Sequence, residues 1–320
     1  MGLRRGEIVR VDENKMKIAF IFPGQGAQFV GMGKTLVEQS AAAKATFAEA
    51  EKISGLELTR IAFEGPQEEL DRTDVSQPAI FTHSVACYRA LQEAGKFPGE
   101  PLAGMAGLSL GEYTALWAAG VFDFETGLRL VQKRGQLMQA AAEAEPSGMV
   151  SIIGLTPEQV ETLCRDAAEG QVLVPANFNC PGQVVVSGTQ AGCQRILDRV
   201  EQAEGRAVPL RVAGAFHSPL MQSAADGLKK ELEGLDFSPT KCTVLANVSG
   251  QPYPENDPDA IREGLIQQVA THTRWEQCVR RLLEMGVETF YEIGPGRVLK
   301  GLMRKIDRKV KCVVFDQLYE

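Results

Sequence analysis

Apolar positions recur along this chain with two alternating periods. Ile18-Ala19-Phe20-Ile21-Phe22 is a continuous apolar run with the length of a buried strand, and it ends at a glycine-rich loop, PGQGAQFVGMGKT, Pro23 to Thr35. Helical spacing then covers 35–50 and 75–94, the second closing on Gly95. A second short apolar strand is expected at 101–108, followed by helices at 111–119, stopped by Gly120, and at 125–144. Strand, helix, strand, helix predicts an α/β fold.

The middle of the chain changes character. It reads as a strand at 149–155, a helix at 157–168 capped by Thr156, and short strands at 172–176 and 183–187; a helix at 190–203 and a strand at 207–212 follow. This βαββαβ order is that of the ferredoxin-like unit. The larger α/β pattern then returns, with a helix from Pro219, a strand at 243–248, a helix from Ala260, a strand at 289–293 and a helix from Val298. The expected division is an α/β domain at 16–145 and 213–320, an inserted ferredoxin-like subdomain at 146–212, and a disordered N-terminal extension at 1–15.

Composition narrows the partners. With 320 residues, 44% of them hydrophobic, the chain can bury a large core, and a net charge of -7 argues against a general nucleic-acid binder. Seven cysteines stand singly with no CxxC pair, and the three histidines are far apart, so no metal site is expected and the cysteines suit a reducing cytosol. No apolar span is long enough for a membrane helix and no secretory signal opens the chain, which predicts a cytoplasmic protein.

The glycine-rich loop fails both phosphate patterns. A P-loop needs glycine where Gln28 stands, and a dinucleotide fingerprint from Gly24 needs a third glycine where Phe29 stands. The glycines around Gln25 permit a tight turn with free backbone N–H groups. A different chemistry is carried by Gly107-Leu108-Ser109-Leu110-Gly111, a G-x-S-x-G between a predicted strand and a predicted helix, the setting of a nucleophile elbow. Ser109 then needs a base. His83 falls inside a helical pattern and suits packing, His272 lies in a polar connection and is expected to be exposed, and His217 sits in the loop Gly214 to Pro219, where functional residues are often carried. No Asp or Glu presents itself as a third triad member, so a neutral carbonyl is expected to orient the base.

Arg134 interrupts the apolar stripe of Leu128, Leu130, Val131, Leu137, Met138 and Ala141. A guanidinium on a buried face needs an anion. That anion is either an Asp or Glu of the protein or a carboxylate brought by the substrate.

Together these residues are recognisable. FPGQGAQFVGMG at 22–33, QPAI at 77–80, GLSLGEY at 107–113, RGQLMQ at 134–139, NFNCPGQVVVSG at 177–188, GAFHSPLM at 214–221, the pair Gln268 and Trp275, and EIGPGRVLKGL at 292–302 follow in order. The chain resembles the malonyl-CoA:acyl carrier protein transacylases, the acyltransferases of fatty acid synthesis, from about Lys17 to near its C-terminus. The resemblance implies a hydrolase-like α/β domain with a mostly parallel sheet, carrying a ferredoxin-like insert. It also implies Ser109 as nucleophile, His217 as base, Gln268 as the residue whose carbonyl orients His217, and the N–H groups of Gln25 and Leu110 as an oxyanion hole. Arg134 would clamp the malonyl carboxylate. Phe216, Met138 and Asn177 would complete the substrate-binding set, and in related acyltransferases a Phe at the place of Phe216 goes with malonyl over bulkier methylmalonyl units.

No cofactor is implied, since the CoA thioester is a substrate and phosphopantetheine arrives on acyl carrier protein. The carrier could dock on the basic stretch Arg297, Lys300, Arg304, Lys305, Arg308, Lys309 and Lys311, which is nearly as readable as a solvated helix face. A monomer is expected. Two departures stand out: Leu108 where many members have His before the nucleophile, which implies an altered pocket shape, and His272 where proline is frequent. Alternatives are a trans-acting acyltransferase of a polyketide pathway, or a serine thioesterase or esterase that passes the acyl group to water. Arg134 and the missing third carboxylate speak against the hydrolase.

Overall fold

The computed structural model describes residues 16–98 and 101–319, so the extension expected at 1–15 lies outside the described residues. The strands among them are β1 (Lys17–Phe22), β2 (Leu102–Gly107), β3 (Ser147–Ile153), β4 (Leu173–Cys180), β5 (Gln183–Thr189), β6 (Arg206–Pro209), β7 (Val287–Glu292) and β8 (Lys311–Val314). They form two sheets. One, in the order β2-β1-β7-β8, is parallel throughout, and the other, β4-β5-β3-β6, is antiparallel throughout.

The apolar run of β1 has its explanation in the layers around it. Ile18, Phe20 and Phe22 point to one face, into a core shared with Phe47, Ile80, Phe81 and Leu128, while Ala19 and Ile21 point to the other, against Trp275, Val279, Leu282 and Leu299. A parallel strand covered by helices on both faces has no solvent side, so its pattern is continuous rather than alternating. The antiparallel sheet carries a core of its own, where Val150, Ile152, Val184 and Val186 meet Val160 and Ile196 from the helices Pro157–Ala168 and Gln190–Gln202.

Several elements differ from expectation, each for a local reason. The helix predicted at 35–50 is broken into Lys34–Gln39 and Ala41–Ser54, because Ser40 is extended and uses its hydroxyl to accept from Ala43 N at 3.0 Å and to donate to Glu93 at 2.6 Å. Residues 243–248 make only isolated pairings, Val244 with Met105 and Leu245 with Pro252, before the chain turns away. β6 ends at Pro209, which has no N–H for the ladder. The expected helix from Pro219 starts as a short 3-10 turn, Pro219–Met221, ahead of Gln222–Leu232. β8 and the helices Leu58–Glu64, Gln67–Asp71 and Trp275–Glu284 were not signalled by periodicity.

β1 and β2 are neighbours, with Phe22 in register with Gly107, so the loops leaving their carboxyl ends emerge side by side. These are the glycine-rich loop and the G-x-S-x-G turn. Binding sites of parallel α/β sheets gather at that edge. No helix among the described residues is long and apolar enough to cross a membrane.

Candidate active site

Ser109 joins β2 to the helix Leu110–Ala118 with φ 52° and ψ -105°, a conformation costly for a side chain bearing a Cβ. Its flanking glycines make that turn possible. A Cβ on Gly107 would stand 1.9 Å from the backbone of Gly111, and one on Gly111 would stand 2.1 Å from Phe22 O. The first glycine loop rests on the same turn, since a Cβ on Gly24 would lie 2.2 Å from Leu108 O and 3.7 Å from Leu110 N. Neither Gln25 N–H nor Leu110 N–H has an acceptor among the described residues. Asn247 locks the turn from behind: its Oδ1 accepts from Ser109 N at 2.7 Å and its Nδ2 donates to Gly107 O at 2.7 Å.

Of the three histidines, His217 reaches the serine. Its Nε2 is 2.8 Å from Ser109 Oγ, and its Nδ1 is 2.7 Å from the main-chain oxygen of Gln268. A carbonyl can only accept, so Nδ1 carries the proton and Nε2 presents its lone pair to the serine hydroxyl. Burial, reinforced by the positive charge of Arg134, lowers the His217 pKa to about 4, so the ring is a neutral base at ordinary pH. His83 is buried in the helix Thr73–Glu93 with Nδ1 3.4 Å from Cys87 Sγ, consistent with packing. His272 corrects an expectation. It is half-buried, its ring edge-on to Phe178 at 5.6 Å between centroids.

Arg134 lies in the helix Phe124–Ala144 with 1% of its surface exposed. Among the described residues it has no carboxylate within ion-pair distance. Its acceptors are all neutral: Gln77 Oε1 at 2.7 Å from Nη1, and Gln268 Oε1 and Ser109 Oγ, each at 2.9 Å from Nη2. Tyr113 lies beneath it, ring centroid 5.4 Å from Cζ. Nε has no acceptor among the described residues. Burial pushes the guanidinium pKa down. A buried charge without a directly bonded counter-ion costs several kcal/mol, and this one stands within hydrogen-bond reach of Ser109 Oγ.

Ser109 and His217 open into a cleft of about 510 Å³ between the two sheets, lined among others by Gln25, Leu108, Met138, Asn177, Arg211 and Phe216. Met138 accepts from Gln77 Nε2 through Sδ at 3.5 Å, and Asn177 donates to Thr273 Oγ1 at 2.7 Å. Leu108 forms part of the wall beside Ser109.

The sequence that builds this strained serine, neutral histidine and unpaired guanidinium matches a known family. The acyl transferase domain model covers residues 19–311. The chain belongs to the acyl transferase family. It is 42% identical over 299 residues to the malonyl CoA-acyl carrier protein transacylase of Bacillus subtilis, covering 93% of this chain and 92% of that one. Among solved structures, the malonyl-CoA:acyl carrier protein transacylase of Xanthomonas oryzae pv. oryzae superposes with a TM-score of 0.88 at 40% identity, over 93% of each chain. A malonyl-transacylase solved in complex with a type II PKS acyl-carrier protein gives a TM-score of 0.89 at 41% identity, over 93% of this chain and 95% of that one.

The fold brings Ser109, His217, Gln268, Arg134, Gln25, Leu108, Met138, Asn177 and Phe216 together here, and leaves His83 and His272 outside. Sequence reasoning missed the layer behind it. Asn247 follows the apolar run Val244-Leu245-Ala246, and nothing local tells that it turns to hold the serine. Glu112 did leave a signal, an acid in the otherwise apolar helix Leu110–Ala118. It is fully buried, accepts from Tyr253 OH at 2.5 Å and from Gln268 Nε2 at 2.6 Å, and burial raises its pKa to about 7.

Proposed function

We propose that this chain transfers malonyl groups from malonyl-CoA to the phosphopantetheine thiol of acyl carrier protein, for fatty acid biosynthesis, in two displacements at Ser109. His217 takes the Ser109 proton as Oγ attacks the thioester carbonyl; the oxyanion is received by the N–H groups of Gln25 and Leu110. The C–S bond breaks, CoA leaves with the proton returned by His217, and malonyl-Ser109 remains. The carrier thiol then gives its proton to His217, attacks the ester, and the released Ser109 oxygen takes that proton back. The carbonyl of Gln268 keeps His217 in the required tautomer throughout. No cofactor enters any step.

The observation that carries this reading is Arg134: a buried cation whose partners are all neutral, 2.9 Å from the nucleophile. A malonyl group esterified to Ser109 has a free carboxylate at about that reach, and the guanidinium fork fits it bidentately. Met138, Asn177 and Phe216 border the acyl group, with Phe216 opposing the extra methyl of methylmalonyl; one methyl discriminates by about 1–3 kcal/mol. The parallel-sheet part, 16–145 with 213–320, is read as a hydrolase-like domain and 146–212 as a ferredoxin-like insert, supported by the strand order β4-β5-β3-β6. All site residues come from one chain, which suits a monomer. The carrier is assigned to the basic face around Arg297 to Lys311. Exposure to malonyl-CoA should add one malonyl group to Ser109 by mass spectrometry and none to the Ser109→Ala variant; an active enzyme without that adduct overturns the mechanism.

A further inference from the structure

Resting on that malonyl transfer, we propose that Glu112 is a positioning residue for it: its carboxyl group, at 2.6 Å the nearer of two acceptors on Gln268 Nε2 beside Ser109 O at 3.0 Å, holds the amide with its oxygen toward Arg134. Glu112 Oε2 accepts from Gln268 Nε2 at 2.6 Å and from Asn247 N at 3.2 Å, while Oε1 accepts from Tyr253 OH at 2.5 Å. The backbone N–H of Asn247 can only donate, so Oε2 is an acceptor whether or not Oε1 carries a proton; it draws the amino end of Gln268 toward the helix Leu110–Ala118 and leaves the amide oxygen 2.9 Å from Arg134 Nη2. Turned over, Gln268 would set its own donors against a guanidinium that has only donors, and its oxygen against a carboxylate oxygen. Gln77 holds the other arm of the fork through its oxygen at 2.7 Å.

The fork is thus aimed by two neutral oxygens, and its charge is left for a substrate carboxylate. Glu112 itself makes no ion pair with Arg134. His217, by contrast, is oriented by the main-chain oxygen of Gln268, whose position does not depend on the rotation of the side-chain amide. Glu112 therefore governs the grip on the carboxylate and leaves the acyl chemistry in place. A purely electrostatic role would follow its charge, and a purely structural role would affect all acyl groups alike.

Two variants separate these roles. Glu112→Asp keeps the charge but withdraws the oxygens by one methylene; Glu112→Gln keeps an oxygen within reach of Gln268 Nε2 but has no charge. Loading of Ser109 is measured with malonyl-CoA and with acetyl-CoA, which has no carboxylate. The expected result is a KM for malonyl-CoA raised about tenfold or more in Glu112→Asp, with acetyl loading within about threefold of wild type, and both within about threefold in Glu112→Gln. The proposal is overturned if the two variants behave alike, if Glu112→Gln loses more than Glu112→Asp, or if malonyl and acetyl loading fall together. Should Glu112→Asp not fold, Glu112→Met with Tyr253→Phe, which removes one of the stranded donors, carries the same expectation. Failure of wild-type enzyme to malonylate Ser109 would instead overturn the functional reading beneath it.

Discussion

At the scale of single residues, the site was legible wherever a side chain broke the rule of its surroundings. Arg134 stood in an apolar stripe, and its burial with neutral partners follows from that violation. Removing it should therefore act on charge recognition. Arg134→Ala is expected to lower kcat/KM for malonyl-CoA by about a hundredfold or more, ~3 kcal/mol, while acetyl-CoA loading changes far less; equal losses on both would refute the clamp. Glu112 broke that rule too, but what it and Asn247 hold was not readable, because their roles arise from contacts such as Ser109 N to Asn247 Oδ1, 138 positions apart in the chain. His217 makes a second prediction, with a definite sign. Burial beside Arg134 lowers its pKa to about 4, so falling pH protonates the base only below roughly that value. The acid limb of kcat/KM for Ser109 loading should bend near pH 4, well below the ordinary histidine value of about 6.5; a limb centred near 6.5 would show that the ring is less desolvated than its 5% exposure implies.

At the scale of elements, the strands and helices were readable where burial imposed a strict period, as in β1 and the helix Phe124–Ala144, and unreadable where a side chain overrode it. Ser40 splits a helical pattern by capping its own successor, and the run Val244-Leu245-Ala246 pairs with β2 only at Val244 before the chain turns Asn247 against the elbow. The elbow is the element on which the chemistry depends. Backbone atoms of Gly111 and Phe22 occupy the space that a methyl group would need, 1.9 Å from Gly107 Cβ and 2.1 Å from Gly111 Cβ positions. Backbone cannot rotate aside as a long side chain can. Gly111→Ala is expected to destabilise the protein by about 3 kcal/mol or more and to cost most of the activity even where the chain still folds, as measured by denaturant unfolding and Ser109 loading. A variant of wild-type stability and activity would mean that the close helix-strand approach is not required.

At the scale of the whole molecule, the net charge of -7 hides an uneven distribution. The helix Val298–Ile306 buries Leu299, Leu302 and Met303 and turns Arg304 and Lys305 outward, with Arg297 and Arg308 exposed at its ends. Lys305 donates to Gln183 on β5 at 2.9 Å, so this face spans both sheets. Val298, 43% exposed, and Leu302 of this helix line the cleft that contains Ser109, while Arg304, Lys305 and Arg308 line a separate surface groove along the same helix. An acidic carrier resting there could pass its phosphopantetheine arm inward, and the attraction would act mainly on encounter. Arg304→Glu with Arg308→Glu is therefore expected to lower kcat/KM for the carrier about tenfold, to leave malonyl-CoA loading within about twofold, and to lose most of that difference at about 0.5 M salt, where exposed charges are screened within a few ångströms. If the double reversal leaves carrier turnover unchanged at low salt, the basic face is only solvated and docking must use another rim of the cleft. A parallel drop in loading would instead place these arginines on CoA, since that first half-reaction takes place before the carrier arrives.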